Sequence, residues 1–393
     1  MVRFENTEIA FKYKTDLELK KAFWLFKMVG SPLLVKAGNI FTQLALGLRI
    51  PVSWAIKPTI YAHFCGGETI AESMPVIRKL EPFKVKAILD YSVEGKERPE
   101  DIAAALEETM KTIVNASSDP NIPFAVFKPT AFTRAEVLEK MSSGEAVSEG
   151  IQKEGQEFRE RVDIMCKEAF NQNIPILIDA EDSWFQNFID EVCEDMMFKY
   201  NKEKAIVFNT LQMYRHDRLS YLEASYQRAV EGKYFLGIKF VRGAYMEKER
   251  KRAEEKGYPD PINPDKQTTD KVYDDGLRFT IKHIDKISVF NGSHNENSNE
   301  LLTELMEAQG IKSYDDRVWF SQLFGMSDNI SFNLAHEGYN VAKYLPFGPV
   351  QHVLPYLIRR AEENTSIAGQ TSRELKLIRQ EMIRRKKSTH ANQ

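Results

Sequence analysis

The chain has 393 residues, 42% apolar and 28% charged, with a net charge of −3. Those proportions fit a globular protein with a sizeable core and exclude a wholly disordered or collagen-like chain. No global basic field argues for nucleic acid, and three scattered cysteines (Cys65, Cys166, Cys193) without a C-x-x-C argue against a disulfide framework or a zinc cluster.

The length allows two or three domains, or one α/β barrel with additions. Met1–Phe11 has no apolar run with a cleavage site, and no stretch of 18 apolar residues is present. The expected location is the cytoplasm, with peripheral contact on the inner face of a membrane left open. The glycosylation patterns at Asn115 and Asn329 carry no weight without a secretion signal.

Residues 1–80 read as a helical arm. Leu17, Leu19, Ala22, Phe23, Leu25, Phe26 and Val29 recur at helical spacing, Gly30-Ser31-Pro32 breaks the run, and a second apolar segment spans Ile40 to Leu48. Such an arm either packs on the main domain or touches a membrane or partner. Residues 81–370 alternate short β-rich runs with helical ones. The runs are Ala87–Val93, Phe124–Pro129, Pro175–Ala180, Ala205–Leu211, Leu236–Arg242, Ile287–Gly292, Val318–Leu323 and Val341–Pro346. Helical periodicity lies between them, in Asp101–Val114, Gly155–Phe170, Trp184–Tyr200, Tyr221–Glu231 and Asp270–Asp285. Eight βα units favour an α/β fold closed as a (β/α)8 TIM-like barrel. Residues 371–393 read as a charged helical tail ending in Arg384-Arg385-Lys386-Lys387. No G-x-G-x-x-G follows a strand, and no P-loop, H-E-x-x-H or G-x-S-x-G occurs.

Active sites of such barrels collect at the C-terminal ends of the strands. Polar residues close run after run there: Lys128, Asp179, Gln212, Lys239 with Arg242, and His294. Leu323 and Phe324 end the seventh run and Tyr344 lies in the eighth. Arg359-Arg360 opens a helical segment after the last strand. Two guanidinium groups together suit a small anionic substrate, or bond to Glu362 and Glu363 on a helix surface. A strand-end lysine keeps a Schiff-base aldolase in play, with Lys128 as nucleophile. A flavin explains more residues at once, because Gln212, Lys239, Arg242 and Ser293-His294-Asn295 supply edge hydrogen bonds, a cation and a pyrophosphate clamp. No metal site is expected.

Four segments resemble proline dehydrogenases and occur in that family's order: Ile178-Asp-Ala-Glu181, Asn209-Thr-Leu-Gln-Met-Tyr214, Gly237-Ile-Lys-Phe-Val-Arg-Gly-Ala-Tyr245 and Tyr356-Leu-Ile-Arg-Arg-Ala-Glu-Glu-Asn364. The resemblance spans roughly residues 84–366. It implies a distorted (β/α)8 barrel holding FAD. It also implies oxidation of L-proline to Δ1-pyrroline-5-carboxylate by hydride transfer to flavin N5, with electrons passed to a membrane quinone. By resemblance Arg359 and Arg360 clamp the proline carboxylate with Lys128 as third cation, and Asp179 is the strand-end acid expected to hold Lys128. Leu323 and Tyr344 wall the ring, and Tyr245 helps cover it. Gln212, Lys239, Val241, Arg242, Gly243, Ala244, Ser293, His294, Asn295 and Glu363 match flavin-binding positions. Some bacterial members read Arg-Leu-Val-Lys-Gly-Ala-Tyr at the third segment. Here the two basic positions are exchanged, which leaves open whether Lys239 or Arg242 addresses N5. Several glutamates between Glu136 and Glu157 are eligible for the acid that pairs with a clamping arginine in the family.

With no aldehyde dehydrogenase segment following, the chain resembles the single-activity enzymes, and handover of product to a separate pyrroline-5-carboxylate dehydrogenase is an expected partnership. Hydroxyproline dehydrogenase on the same scaffold is the near alternative; the bulk of Tyr344 should crowd a 4-hydroxyl and favours proline. A non-enzymatic membrane-surface protein, using the arm and the basic tail, is the remote one.

Overall fold

The computed structural model describes residues 2–31, 56–93, 97–366 and 370–391, with side chains described except at 361–372 and from 389 onward. The strands are β1 (Val85–Tyr91), β2 (Ala125–Phe127), β3 (Ile176–Ile178), β4 (Val207–Gln212), β5 (Leu236–Val241), β6 (Ile287–Gly292), β7 (Val318–Leu323) and β8 (Val341–Phe347). They form one sheet in the order β1-β8-β7-β6-β5-β4-β3-β2. Successive pairs from β2 to β7 are parallel. With helices between the strands, this is the expected distorted (β/α)8 barrel.

β2 and β3 are shorter than their apolar runs. Pro129 and Pro175 bracket them and have no N–H to extend a ladder. The second apolar segment of the arm, Ile40 to Leu48, lies outside the described residues.

Two compact units divide the chain: Ile88–Tyr91 with Gly95–Ser321, and Val2–Ala87 with Ser92–Glu94 and Gln322–Gln393. In the first unit, strand periodicity sorts side chains into two faces. Phe208, Thr210 and Gln212 of β4 are in register with Gly237, Lys239 and Val241 of β5, and Lys239 with Phe290 of β6. The lower end of this face is aromatic: Phe124, just before β2, lies 5.7 Å from Phe208, 5.0 Å from Phe290 and 5.3 Å from Trp319. Gly237 leaves room for this layer, since a Cβ there would lie 2.8 Å from the Phe208 ring. The other face meets helices. Asn209 donates to Asp190 of helix Ser183–Tyr200, and Asn291 accepts from Tyr273 of helix Lys266–Lys282. Apolar rings thus fill the bottom of the face and leave its polar residues near the strand ends.

In the second unit, Thr15 and Glu18 form a capping box that starts helix Asp16–Val29. Its buried stripe of Leu19, Ala22, Leu25, Phe26 and Val29 packs with Tyr61, Phe64, Val353, Leu357, Leu377 and Ile378. Helix Val350–Ser366 therefore shares one apolar core with the arm and the terminal helix Gln370–Ala391. Among the described residues, no helix is long and apolar enough to cross a membrane.

Candidate active site

In the first unit, Lys128 leaves the end of β2 and donates to both carboxylate oxygens of Asp90, at 2.9 and 2.8 Å. The turn that follows, Pro129–Ala131, is held by Glu181, which accepts from the Thr130 N–H at 2.8 Å and its Oγ at 2.6 Å. Burial pushes the Glu181 carboxyl up to about 7, against the opposing effect of these bonds and the Lys128 charge.

Asp179 follows β3, its N–H bonded to the Phe127 carbonyl. Its side chain accepts from Lys239 Nζ at 2.6 Å. Asp179 therefore anchors Lys239, and the carboxylate holding Lys128 is Asp90, which corrects the expected pairing. The side chains reach past the neighbouring strand ends, and the sheet order alone does not set the pairing. Lys128 closes β2 and Asp90 sits in β1, whereas Asp179 and Lys239 span β4 from either side. Lys239 is almost completely buried, on the same sheet face as Thr210 and Gln212. Gln212 Oε1 is buried and accepts no hydrogen bond from the described residues.

Arg242 lies just past β5 and turns toward helices. It donates to Asp270 at 2.8 Å, Ser293 at 2.9 Å and Ser298 at 2.9 Å, with its guanidinium 4.3 Å from the Tyr273 ring centre. This draws the β5 end toward Ser293-His294-Asn295, where Asn295 caps helix Glu296–Ala308 by accepting from the Ser298 N–H. Gly243 takes φ +122°, and a Cβ there would lie 2.5 Å from the Tyr214 ring, so the turn into Ala244 and Tyr245 requires glycine. Tyr245 occupies the N-cap of helix Met246–Lys256, and Val241 ends β5.

In the second unit, Leu323 ends β7 and opens a four-residue turn closed by Met326 N–H to Leu323 O at 3.2 Å. Gly325, at φ +81°, supplies the turn's third position. The Phe324 N–H donates to the carbonyl of Tyr344, whose side chain is buried. Arg359 and Arg360 sit in the third turn of helix Val350–Ser366, rather than opening it as expected. The true start precedes them because residues Tyr61–Glu68 hold it: Tyr61 Oη donates to Gly348 O at 2.8 Å, and Val350 N–H to Glu68 at 3.4 Å. The Arg360 guanidinium lies 5.1 Å from the Tyr356 ring centre. The side chains of Glu362 and Glu363 fall outside the described ones.

Three residues escaped the sequence reading as site components. Asp90 was legible by the rule applied to the other strands, a polar residue near the end of an apolar run. Glu181 stood in a quoted motif without a role. Asp270, the partner of Arg242, has no local signal, because the pairing depends on tertiary placement of a helix.

Lysines, carboxylates and an amide gather at the strand ends of this barrel, the end where (β/α)8 barrel enzymes carry their active sites. The family model "Proline dehydrogenase" matches residues 73–373. Proline dehydrogenase 1, mitochondrial, of Dictyostelium discoideum is 34% identical, over 88% of this chain and 68% of its own length. A hydroxyproline dehydrogenase of Xenopus laevis is 30% identical, over 95% of this chain and 88% of its own. Among solved structures, proline utilization A of Bdellovibrio bacteriovorus inactivated by N-propargylglycine superposes with a TM-score of 0.72 at 19% identity, covering 92% of this chain. The chain spans only 38% of that protein's length. The chain belongs to the proline dehydrogenase family, a family of oxidoreductases acting on proline.

Proposed function

We propose that the protein is an FAD-dependent dehydrogenase that oxidises L-proline to Δ1-pyrroline-5-carboxylate. The observation that supports it most is Gln212: a buried amide oxygen without a donor among the described residues costs about 1–3 kcal/mol, and the edge of a flavin supplies a donor. Lys239 on the same sheet face adds a fixed cation. Bound FAD supplies the hydride acceptor. On this reading Gln212 and Lys239 address the ring, with Val241 beside them. Arg242, Gly243, Ala244, Ser293, His294, Asn295 and Glu363 hold the remainder of the cofactor. The inward position of Lys239 and the helix-directed position of Arg242 favour Lys239 as the cation nearest N5.

For the substrate, Arg359 and Arg360 bind the carboxylate as planar forks, with Lys128 as the third cation. Asp90 fixes Lys128, and Asp179 fixes Lys239 and offsets its charge. Leu323, Tyr344 and Tyr245 cover the ring and exclude water. The amine reacts in its neutral form, whose free lone pair assists departure of the hydride. The Asp90–Lys128 pair weakens the aldolase alternative, because imine formation needs a free amine.

A membrane quinone is the proposed final electron acceptor, with product passed to a pyrroline-5-carboxylate dehydrogenase. Leu17, Trp24 and Met28 share an exposed face of their helix with Lys20, Lys21 and Lys27, which supports peripheral membrane contact. Hydroxyproline is a second substrate reading, motivated by the Xenopus laevis relative. The test is turnover with an artificial electron acceptor while an aminobenzaldehyde reagent traps the cyclic imine. Acceptor reduction and trapped imine with L-proline are expected. Absence of both in flavin-loaded protein contradicts the proposal.

A further inference from the structure

Behind the turn that follows β7 lies a buried charged cluster. Lys343, in β8 immediately before Tyr344, has no exposed surface. Its ammonium donates to Met326 O at 2.6 Å and, at a longer 3.5 Å, to Leu323 O, and it is ion-paired with Asp328, whose Oδ1 lies 2.9 Å away. Two of these are the main-chain carbonyls of the first and last residues of the Leu323–Met326 turn.

Asp328 is anchored in turn by the segment before the first long helix. Tyr13 Oη donates to it at 2.7 Å and Lys14 Nζ lies 3.3 Å away. Tyr13 is itself stacked on Phe332, with ring centres 4.4 Å apart. On the far side, the Ser327 N–H donates to the buried carboxyl group of Glu374 in the terminal helix. Ser327 needs that support, since it sits in left-handed backbone at φ +50°. Gly325 is hemmed in as well: a Cβ there would lie 2.4 Å from the His63 carbonyl.

Burial disfavours the charged lysine and pushes its pKa down, against the pull of Asp328. Burial also raises the Asp328 carboxyl, but the Lys14 and Lys343 charges and the Tyr13 bond outweigh it and hold the group well below the usual carboxylate range. An apolar residue at position 343 would fill the space without the desolvation cost. What the lysine adds is direction: it ties two specific carbonyls to the strand that carries Tyr344.

Strand alternation places the side chains of Lys343 and Tyr344 on opposite faces of β8. The Phe324 N–H to Tyr344 O bond stitches the same turn to the same strand from the main chain. Leu323 and Tyr344 are therefore fixed relative to each other by two independent ties, one backbone and one through the lysine.

We propose that Lys343 is a positioning residue, which sets the spacing of Leu323 and Tyr344 and so the fit of the substrate ring between them. The proposal rests on the reading of those two residues as ring walls. The balanced variant Lys343→Met/Asp328→Asn removes the tie without leaving a buried charge opposite its former partner. In the full flavin-loaded chain it should retain flavin, raise the KM for L-proline at least tenfold and change kcat less than threefold. It should also lower the preference for L-proline over trans-4-hydroxy-L-proline at least fivefold. Amide hydrogen exchange at Phe324 and Met326, read without substrate, should quicken at least tenfold. If the exchange is unchanged, the tie is overturned whatever the enzyme oxidises. If exchange quickens while KM and preference stay as in the parent, the positioning role is overturned. A parent chain that oxidises neither imino acid overturns the functional reading and, with it, the substrate part of the role, while exchange still decides the tie. Should the double variant fail to fold, Tyr13→Phe, which only loosens Asp328, decides by the same readouts. A twofold or greater rise in both exchange and KM supports the role, and no change in either overturns it.

Discussion

The ammonium of Lys239 lies 2.6 Å from a carboxylate oxygen of Asp179, joining β5 to the end of β3 around the intervening β4. Both side chains are largely buried. Removal of one partner leaves an uncompensated charge, so Lys239→Met should lower stability by about 3–5 kcal/mol. Lys239→Met/Asp179→Asn should recover at least half of that loss. Denaturant unfolding of both variants measures it, and equal losses would show that the charge pairing contributes nothing.

The guanidinium assignments give a kinetic prediction. Arg359→Met should raise the KM for L-proline about 100-fold, equivalent to about 2.7 kcal/mol, while the flavin remains bound. The check is steady-state kinetics together with the visible spectrum of the same sample. An unchanged KM removes Arg359 from the carboxylate clamp.

Stability should depend on pH through two buried carboxyls. Glu181 and Glu374 are each pushed up to about 7 by burial. An unfolded glutamate titrates near 4.3. Between those values the folded state holds more protons than the unfolded one, so this contribution to stability falls as pH rises from about 4 to about 7. His63 acts in the opposite sense. Burial lowers it to about 4, so the unfolded state holds the extra proton up to about 6.5 and stability rises with pH. Glu181→Gln/Glu374→Gln should reduce the falling part, to which the buried Glu249 carboxyl, also raised by burial, still contributes, and leave the rising one. Thermal unfolding from pH 5 to pH 8 tests this, and an identical pH profile in parent and variant contradicts it.

Much of the barrel was legible because its strands are short apolar runs and most of its helices amphipathic. Ile287–Gly292 and Val318–Leu323 match β6 and β7 residue for residue. Helix Met246–Lys256 was not legible, since it is nearly all charged and buries only Glu249 and Ala253, leaving no apolar period to read. Helix Asp328–His336 escaped for the opposite reason: Asp328 through Ala335 are all buried, so there is no polar face. At the candidate site, the sequence pattern pointed to Lys128, Asp179, Gln212 and Lys239, and the structure places them at or near the ends of β2, β3, β4 and β5. The pairing of Lys128 with Asp90 was not legible, because it joins residues 38 apart in the chain and no local pattern specifies such a partner.

Substrate choice should depend on the ring at position 344. Tyr344 is buried, and a smaller residue would open space for a 4-hydroxyl. Tyr344→Ser should raise kcat/KM for trans-4-hydroxy-L-proline relative to L-proline about tenfold or more, within the range expected for pocket-size discrimination. Parallel assays decide, and an unchanged ratio would remove Tyr344 from the pocket wall.

The most direct test of the flavin-dependent oxidation is an anaerobic visible spectrum of the purified 393-residue chain before and after addition of L-proline. A flavin absorption band that bleaches with L-proline, and does so less readily with trans-4-hydroxy-L-proline, is the expected result. Flavin-reconstituted protein whose band is unmoved by saturating L-proline, or a chain that takes up no flavin at all, would contradict it.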